Sequence, residues 1–194
     1  MKIIMVLPIF TFPLSQALNA CLSGNVNLVK YLIDHGLEIN KESDYGYTPL
    51  FNACSSGNLD LVKYLIDYGL DINKESMDGW TLLLYACEYG QEKIVKDLVE
   101  LGFDVNLEDH NGWIPLYCAC RKGNLDIVKY LVEHGADINT KNRVIMLMEA
   151  CWSDSLLLIK YLVELGLDVN KEDNNGWTLL FNTCQKGHEN VVKY

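Results

Sequence analysis

Seven cysteines and four histidines are the residues of this 194-residue chain whose types could bind a metal, form disulfides or act as nucleophiles. Cys21, Cys54, Cys87, Cys120, Cys151 and Cys184 are separated by 33, 33, 33, 31 and 33 residues, and Cys118 stands outside the series. A residue that returns to one place in a repeating pattern is expected to be a small core hydrophobe, and free cysteine is among the most buried types. Units packed at helix–helix distance, about 10 Å, are too far apart for disulfides, whose Cα atoms lie within ~7 Å. The set reads as reduced thiols of an intracellular protein. His35, His110, His134 and His188 have no ligand-like spacing to each other or to a cysteine and read as surface residues. No serine, cysteine or carboxylate has a basic partner arranged for nucleophilic or acid–base work. The glycines include no GxxxxGK[ST] phosphate loop. The charges at Lys41 to Asp44 and at Glu172-Asp173 read as solvated loop charge rather than a calcium loop. The sequence thus assigns no catalytic residue, no cofactor and no metal, and the chain is expected not to be an enzyme.

The chemistry that remains is recognition, carried by tryptophan, tyrosine and arginine, the types that dominate interface energetics. What positions them is a repeat. Gly24, Gly57, Gly90 and Gly123 lie 33 residues apart, and Gly187 falls on the same grid 64 residues later. A fixed period of this size signals stacked supersecondary units. In the clearest unit Thr48 is a candidate N-cap and Pro49 fits the first helical position, where its missing N–H costs nothing. Leu50, Ala53 and Cys54 give that helix an apolar face, and small Ala53 and Cys54 admit a second helix closely. Gly57 ends it as a left-handed cap candidate. A second helix from about Leu59 carries Leu61, Val62, Leu65 and Ile66 as its buried stripe, and Gly69 stops it. The polar segment to Trp80 follows, with Asp78-Gly79 as a tight-turn signal. Each unit is therefore helix, turn, helix and a projecting hairpin. No pair can bury its stripe alone, so the units must stack.

Gly46, Thr48, Pro49, Leu50, Ala53, Gly57, Val62, Leu65, Gly69, Asp71 and Asn73 together resemble the ankyrin repeat, over roughly residues 15–194. The resemblance implies an all-α repeat solenoid of stacked helix-turn-helix units joined by β-hairpin-like fingers. Residues 1–14 form an irregular apolar N-terminal segment or cap, and repeats follow at about 15–46, 47–79, 80–112, 113–143, 144–176 and 177–194, the last cut short. One departure is systematic. The family's histidine after Thr-Pro-Leu is Phe51, Leu84, Tyr117, Met148 and Phe181 here. The fifth repeat has lost two finger residues and its Asp-Gly turn, which predicts a blunted finger, and Asp154 takes the inter-helix glycine position. Asn40, Asn73, Asn106, Asn139 and Asn170 recur just before the fingers; they resemble hydroxylation targets, while the structural reading has their side chains closing the turn.

Net charge is −10, from 16 basic and 26 acidic residues. That is opposite in sign to a nucleic-acid footprint, so no nucleic acid is expected, and a protein ligand, locally basic, is favoured weakly. The opening run Met1–Phe12 is apolar after one lysine and has two readings, a secretory signal or a cap on the first repeat. Pro8 interrupts it, and the small-residue cleavage candidates near Ala17 and Ala20 would cut into a helix. It is too short to span a membrane. The cap and a cytoplasmic location are the expectation, with no membrane partner.

The resemblance further implies that a protein ligand docks on a concave face made of finger tips and first helices. By position the contact candidates are Tyr47, Trp80, Trp113 and Trp177 after the turn glycines, and Tyr89, Arg121, Lys122 and Trp152 on first helices. The alternative for the repeated aromatics is packing against the next finger. The non-repeating Tyr89, Arg121, Lys122 and Trp152 carry more information, because the fold does not require them. The uncovered faces at the last repeat are a surface for self-association. The competing function is the recognition arm of a larger adaptor or enzyme.

Overall fold

The computed structural model describes residues 12–140, 143–173 and 175–193. Among them the chain forms twelve helices and no strand. They fall into two compact blocks, Met1–Met77 and Asp78–Tyr194. The first block holds α1 (Leu14–Leu22), α2 (Val26–Asp34), α3 (Pro49–Ser55) and α4 (Leu59–Asp67). The second holds α5 (Leu82–Glu88), α6 (Glu92–Glu100), α7 (Pro115–Lys122), α8 (Leu125–Glu133), α9 (Val144–Trp152), α10 (Leu156–Glu164), α11 (Leu179–Lys186) and α12 (Glu189–Val192). The two readings of the opening run concern Met1–Phe12 and lie, apart from Phe12, outside the described residues.

Within each block the odd-numbered helices pack on one another: α1 on α3 in the first, α5 on α7, α7 on α9 and α9 on α11 in the second. Small residues set that approach. Ala17, Ala53, Ala86, Ala119 and Ala150 are fully buried, as are Cys21, Cys54, Cys87, Cys120 and Cys151. The even-numbered helices bury a narrower stripe, Leu61, Val62 and Leu65 on α4 and Ile127, Val128 and Leu131 on α8. Ile66, expected in that stripe, is only half-buried because it lies at its edge. Nine-residue helices are marginal alone, so this stacking is what holds them.

The helix ends are chemically specified. Asn25, Asn58 and Asn124 cap α2, α4 and α8 by accepting from the backbone N–H three residues on. Asn58 also donates from Nδ2 to the Gly24 carbonyl at 2.7 Å, joining consecutive repeats of the first block. Thr81 and Thr178 cap α5 and α11 through Oγ1. Thr48 occupies the N-cap backbone position but makes no capping bond, and its buried hydroxyl has no hydrogen-bond partner among the described residues. At the far end of α4, Gly69 N–H donates to Ile66 and Leu70 N–H to Leu65, the paired bonds of a Schellman turn. Gly69 has φ +105 there, open to glycine and strained for other residues.

The fingers are turns closed by side-chain oxygens rather than ladders. Asp109 Oδ1 accepts from the N–H groups of Asn111 and Trp113, both at 2.8 Å, and Asp109 N–H donates to the Trp113 carbonyl. Asp173 repeats the arrangement with Asn175 and Trp177. The Trp177 N–H bond holds the Asp173 carboxyl below its ordinary range. Asp173 is therefore a loop-closing group, not the solvated charge expected. The asparagines before the fingers also differ from expectation. The carboxylates of Asp71, Asp104, Asp137 and Asp168 close those turns by accepting the asparagine backbone N–H. The Asn106 side chain instead reaches the next repeat, donating to the Gly135 carbonyl and accepting from Asp137 N–H.

At the fifth repeat, Lys141 and Asn142 of the shortened finger lie outside the described residues, so the blunted finger is untested there. The following helix α9 begins at Val144 with Arg143 already at φ −54, two residues earlier than the register with Pro115 implies. Asp154 adopts φ +54, the left-handed conformation of the glycine it replaces, and its Oδ1 lies 3.1 Å from His188 Nδ1. His188 is half-buried by that contact, not a free surface histidine.

Six thiols are buried, and burial pushes Cys21 and Cys151 up to about 12. Cys184 departs from expectation: it is exposed, because no further odd-numbered helix covers that side of α11 among the described residues. Native-state alkylation followed by peptide mass spectrometry is expected to label Cys184 rapidly and the other six only on unfolding. At position 154, Asp154→Gly is expected to change stability by less than about 0.5 kcal/mol, since relief of the left-handed backbone offsets loss of an exposed pair. Asp154→Ala, which keeps the strain and loses the pair, is expected to lose about 1–2 kcal/mol by urea denaturation.

Candidate interaction surface

In the second block, equivalent positions of α5, α7, α9 and α11 form rows across the stack. One row is Glu88, Arg121, Trp152 and Gln185; the next is Tyr89, Lys122, Ser153 and Lys186. Arg121 is the centre of the best-defined cluster. Its Nη2 and Nε donate to Glu88 Oε2 at 2.5 and 3.1 Å. Its guanidinium carbon lies 4.4 Å from the Trp113 ring centroid. Its Nε is 4.0 Å from Glu149 Oε2, beyond hydrogen-bonding distance.

The tryptophans engage cations already present in the chain. Trp113 takes the Arg121 guanidinium on its face, and Trp152 takes the Lys186 ammonium 3.4 Å from its ring centroid. Trp152 is still 57 % exposed. Trp80, Trp113 and Trp177 each have an aromatic partner within their own repeat. Each packs back on the first helix of its own repeat, against Tyr85 at 6.1 Å, Tyr117 at 6.2 Å and Phe181 at 4.8 Å. Tyr117 and Phe181 occupy the position where the family has histidine, so two of the departures supply the aromatic mate of the finger tryptophan. Tyr117 also bonds through its hydroxyl to Thr140 Oγ1 at 2.7 Å. Tyr89 is exposed on one side and lies 4.8 Å from the Tyr85 ring on the other. Lys122 runs its stem past Gly90. In the first block, Tyr47 lies edge-on to Phe51 at 5.3 Å.

Glu149 is the residue that the sequence reading missed. It lies on α9 in the column of Cys118 and Asn182, and its side chain is 16 % exposed. Burial is the main reason its carboxyl is held above the ordinary range; Arg121 pulls it down and Glu88 pushes it up. The available signal was a carboxylate where the aligned positions read Asn52, Tyr85, Cys118 and Asn182. Among the described residues no group of histidines, cysteines or carboxylates is arranged to hold a metal ion. Nor is any helix long and apolar enough to cross a membrane.

Comparison with known families gives the class. A family model described as ankyrin repeats (3 copies) matches residues 14–76 and 71–142, and one described as ankyrin repeats (many copies) matches 144–194. The chain belongs to the ankyrin repeat family, whose members mediate protein–protein interaction. No individual curated protein matches it.

The raised Glu149 carboxyl has a consequence for stability. A folded-state pKa above the unfolded one means the native protein holds more protons between the two values, so stability falls as pH rises through that window. Glu149→Gln, which mimics the protonated form, is expected to leave thermal stability at pH 7 unchanged or slightly higher. The difference from the parent should vanish below the ordinary glutamate range. Scanning calorimetry at pH 3 and pH 7, below and above the ordinary glutamate value of about 4.3, reads this directly.

Proposed function

We propose that this protein is a non-catalytic interaction module that binds a protein ligand on the concave face formed by its first helices and fingers. The observation that carries this reading is the cluster on α5, α7 and α9, where Tyr89, Arg121, Trp113 and Trp152 present aromatic and guanidinium groups in one neighbourhood. Arg121 and Trp152 sit on short helices held by buried small-residue contacts, with Tyr89 at the end of α5 and Trp113 just before α7, so docking costs them little conformational entropy. Lys122 flanks the cluster, and Trp80 and Trp177 extend the aromatic row within the second block; in the first block Tyr47 is a contact candidate of its own. The second reading, a recognition arm of a larger adaptor or enzyme, uses the same face. No cofactor is required by either, and nucleic acid is not a favoured partner at a net charge of −10. A cytoplasmic location accords with seven cysteines in the thiol form, six of them buried. The exposed Leu180, Phe181 and Val192 of the last repeat are the surface we assign to any self-association.

The test is affinity capture with the parent chain and with a Tyr89→Ala/Arg121→Ala/Trp152→Ala variant whose helicity is checked by circular dichroism. A protein bound by the parent is expected to weaken by at least about 2 kcal/mol, some thirtyfold, in the variant, the size of an interface hot spot. Equal capture would place the contacts elsewhere.

A further inference from the structure

The chemistry of the ligand can be narrowed, given the interaction surface just proposed. We infer that the surface beside Glu149 and Trp152 receives a cationic side chain, lysine or arginine, from a basic segment of the partner protein. Three observations converge on this. Glu149 is a half-buried carboxylate that makes no hydrogen bond among the described residues, and its nearest counter-charge, Arg121, is already committed to Glu88. The cluster Glu88, Arg121 and Glu149 therefore carries one uncompensated negative charge. Trp152 lies three residues on from Glu149, one helical turn along the same face of α9, and leaves more than half its surface open.

The third observation is that the chain shows what this surface accepts. Lys186 lays its ammonium on the Trp152 ring, and Arg121 lays its guanidinium on Trp113. Both exposed or half-exposed tryptophans of this neighbourhood are filled by cations. Lys186 comes from the exposed end of α11, so it is an internal occupant that an incoming cation would have to displace from the Trp152 site. An incoming ammonium would gain the Trp152 face and, one turn back, the Glu149 carboxylate that Arg121 approaches only to 4.0 Å. An acidic segment would find Arg121 neutralised and Glu149 repelling it. Burial that holds the Glu149 carboxyl up fits the same picture, since a ligand cation would relieve it. The net charge of −10 would steer a basic segment toward the chain, but does not select this site.

The probes are two fluorescein-labelled peptides, one alternating lysine and alanine and one alternating glutamate and alanine, titrated into the full chain by anisotropy. Glu149→Gln is compared with Glu100→Gln, a charge-matched change on the exposed side of α6. The lysine peptide is expected to bind the parent and the glutamate peptide not. Affinity for the lysine peptide should fall about tenfold in Glu149→Gln and in Trp152→Ala, and by less than about twofold in Glu100→Gln. Absence of lysine-peptide binding, or equal losses in Glu149→Gln and Glu100→Gln, would overturn the inference. A partner still captured by the parent and lost from the triple variant would, in that event, leave the interaction surface standing without its basic ligand. Loss of both results would remove the surface as well.

Discussion

The constraint on which this structure depends is that no helix pair in it can hide its own apolar stripe. Helices of seven to nine residues have too few internal hydrogen bonds to persist alone in water. What they can do is present a flat, small-residue face to a like helix one repeat away. The alanine and cysteine rows do this, at zero exposure for Ala53, Cys54, Ala86, Cys87, Ala119, Cys120, Ala150 and Cys151. The same burial explains why six of the seven thiols are kept from reacting. A cysteine packed against methyl groups is kept protonated by the cost of burying a thiolate, and it behaves as a small hydrophobe.

From that stacking follows the separation of roles along each repeat. Side chains facing the neighbouring helix must be small and apolar. Those one or two positions on, at Glu88, Arg121 and Trp152, lie at the edge of the contact, where size and charge are unrestricted. Functional variety can therefore accumulate at these positions without a penalty in the core. The Arg121 cluster shows the intermediate case. Arg121 is half-exposed, yet it is tied to the preceding repeat through Glu88 and to its own finger through Trp113. A residue that the fold does not require has become one that the local structure uses, and a ligand that engages it must compete with those partners.

The fingers show how a turn can be specified by one oxygen. At the ends of the third and fifth repeats an aspartate carboxylate takes two backbone N–H groups and fixes the loop that leads to Trp113 and Trp177. In the first block the Ser43 hydroxyl serves Tyr47 in the same way. Each aromatic then folds back on its own first helix, so the finger and that helix form one ring-lined surface rather than two independent elements.

The sequence by itself determined the repeat, the helix pairs, the glycines at positive φ and the small-residue rows. These are all local or periodic: a 33-residue spacing, a proline at a helix start, an Ala-Cys pair at a fixed place. It also singled out Tyr89, Arg121 and Trp152, because they break the period. Only the tertiary structure decided what those residues do. That Arg121 is shared between Glu88, Trp113 and Glu149, that Lys186 lies on Trp152, and that Thr48 caps nothing while Asp173 closes a loop are facts of side-chain approach. Most join repeats about thirty residues apart; the others turn on a hydroxyl or carboxylate orientation that spacing does not reveal. Glu149 is the sharpest instance. In the sequence it is one glutamate among many, and it becomes distinctive only when packing half-buries it and leaves its nearest cation paired elsewhere, because desolvation and pairing belong to the folded surroundings and not to the residue.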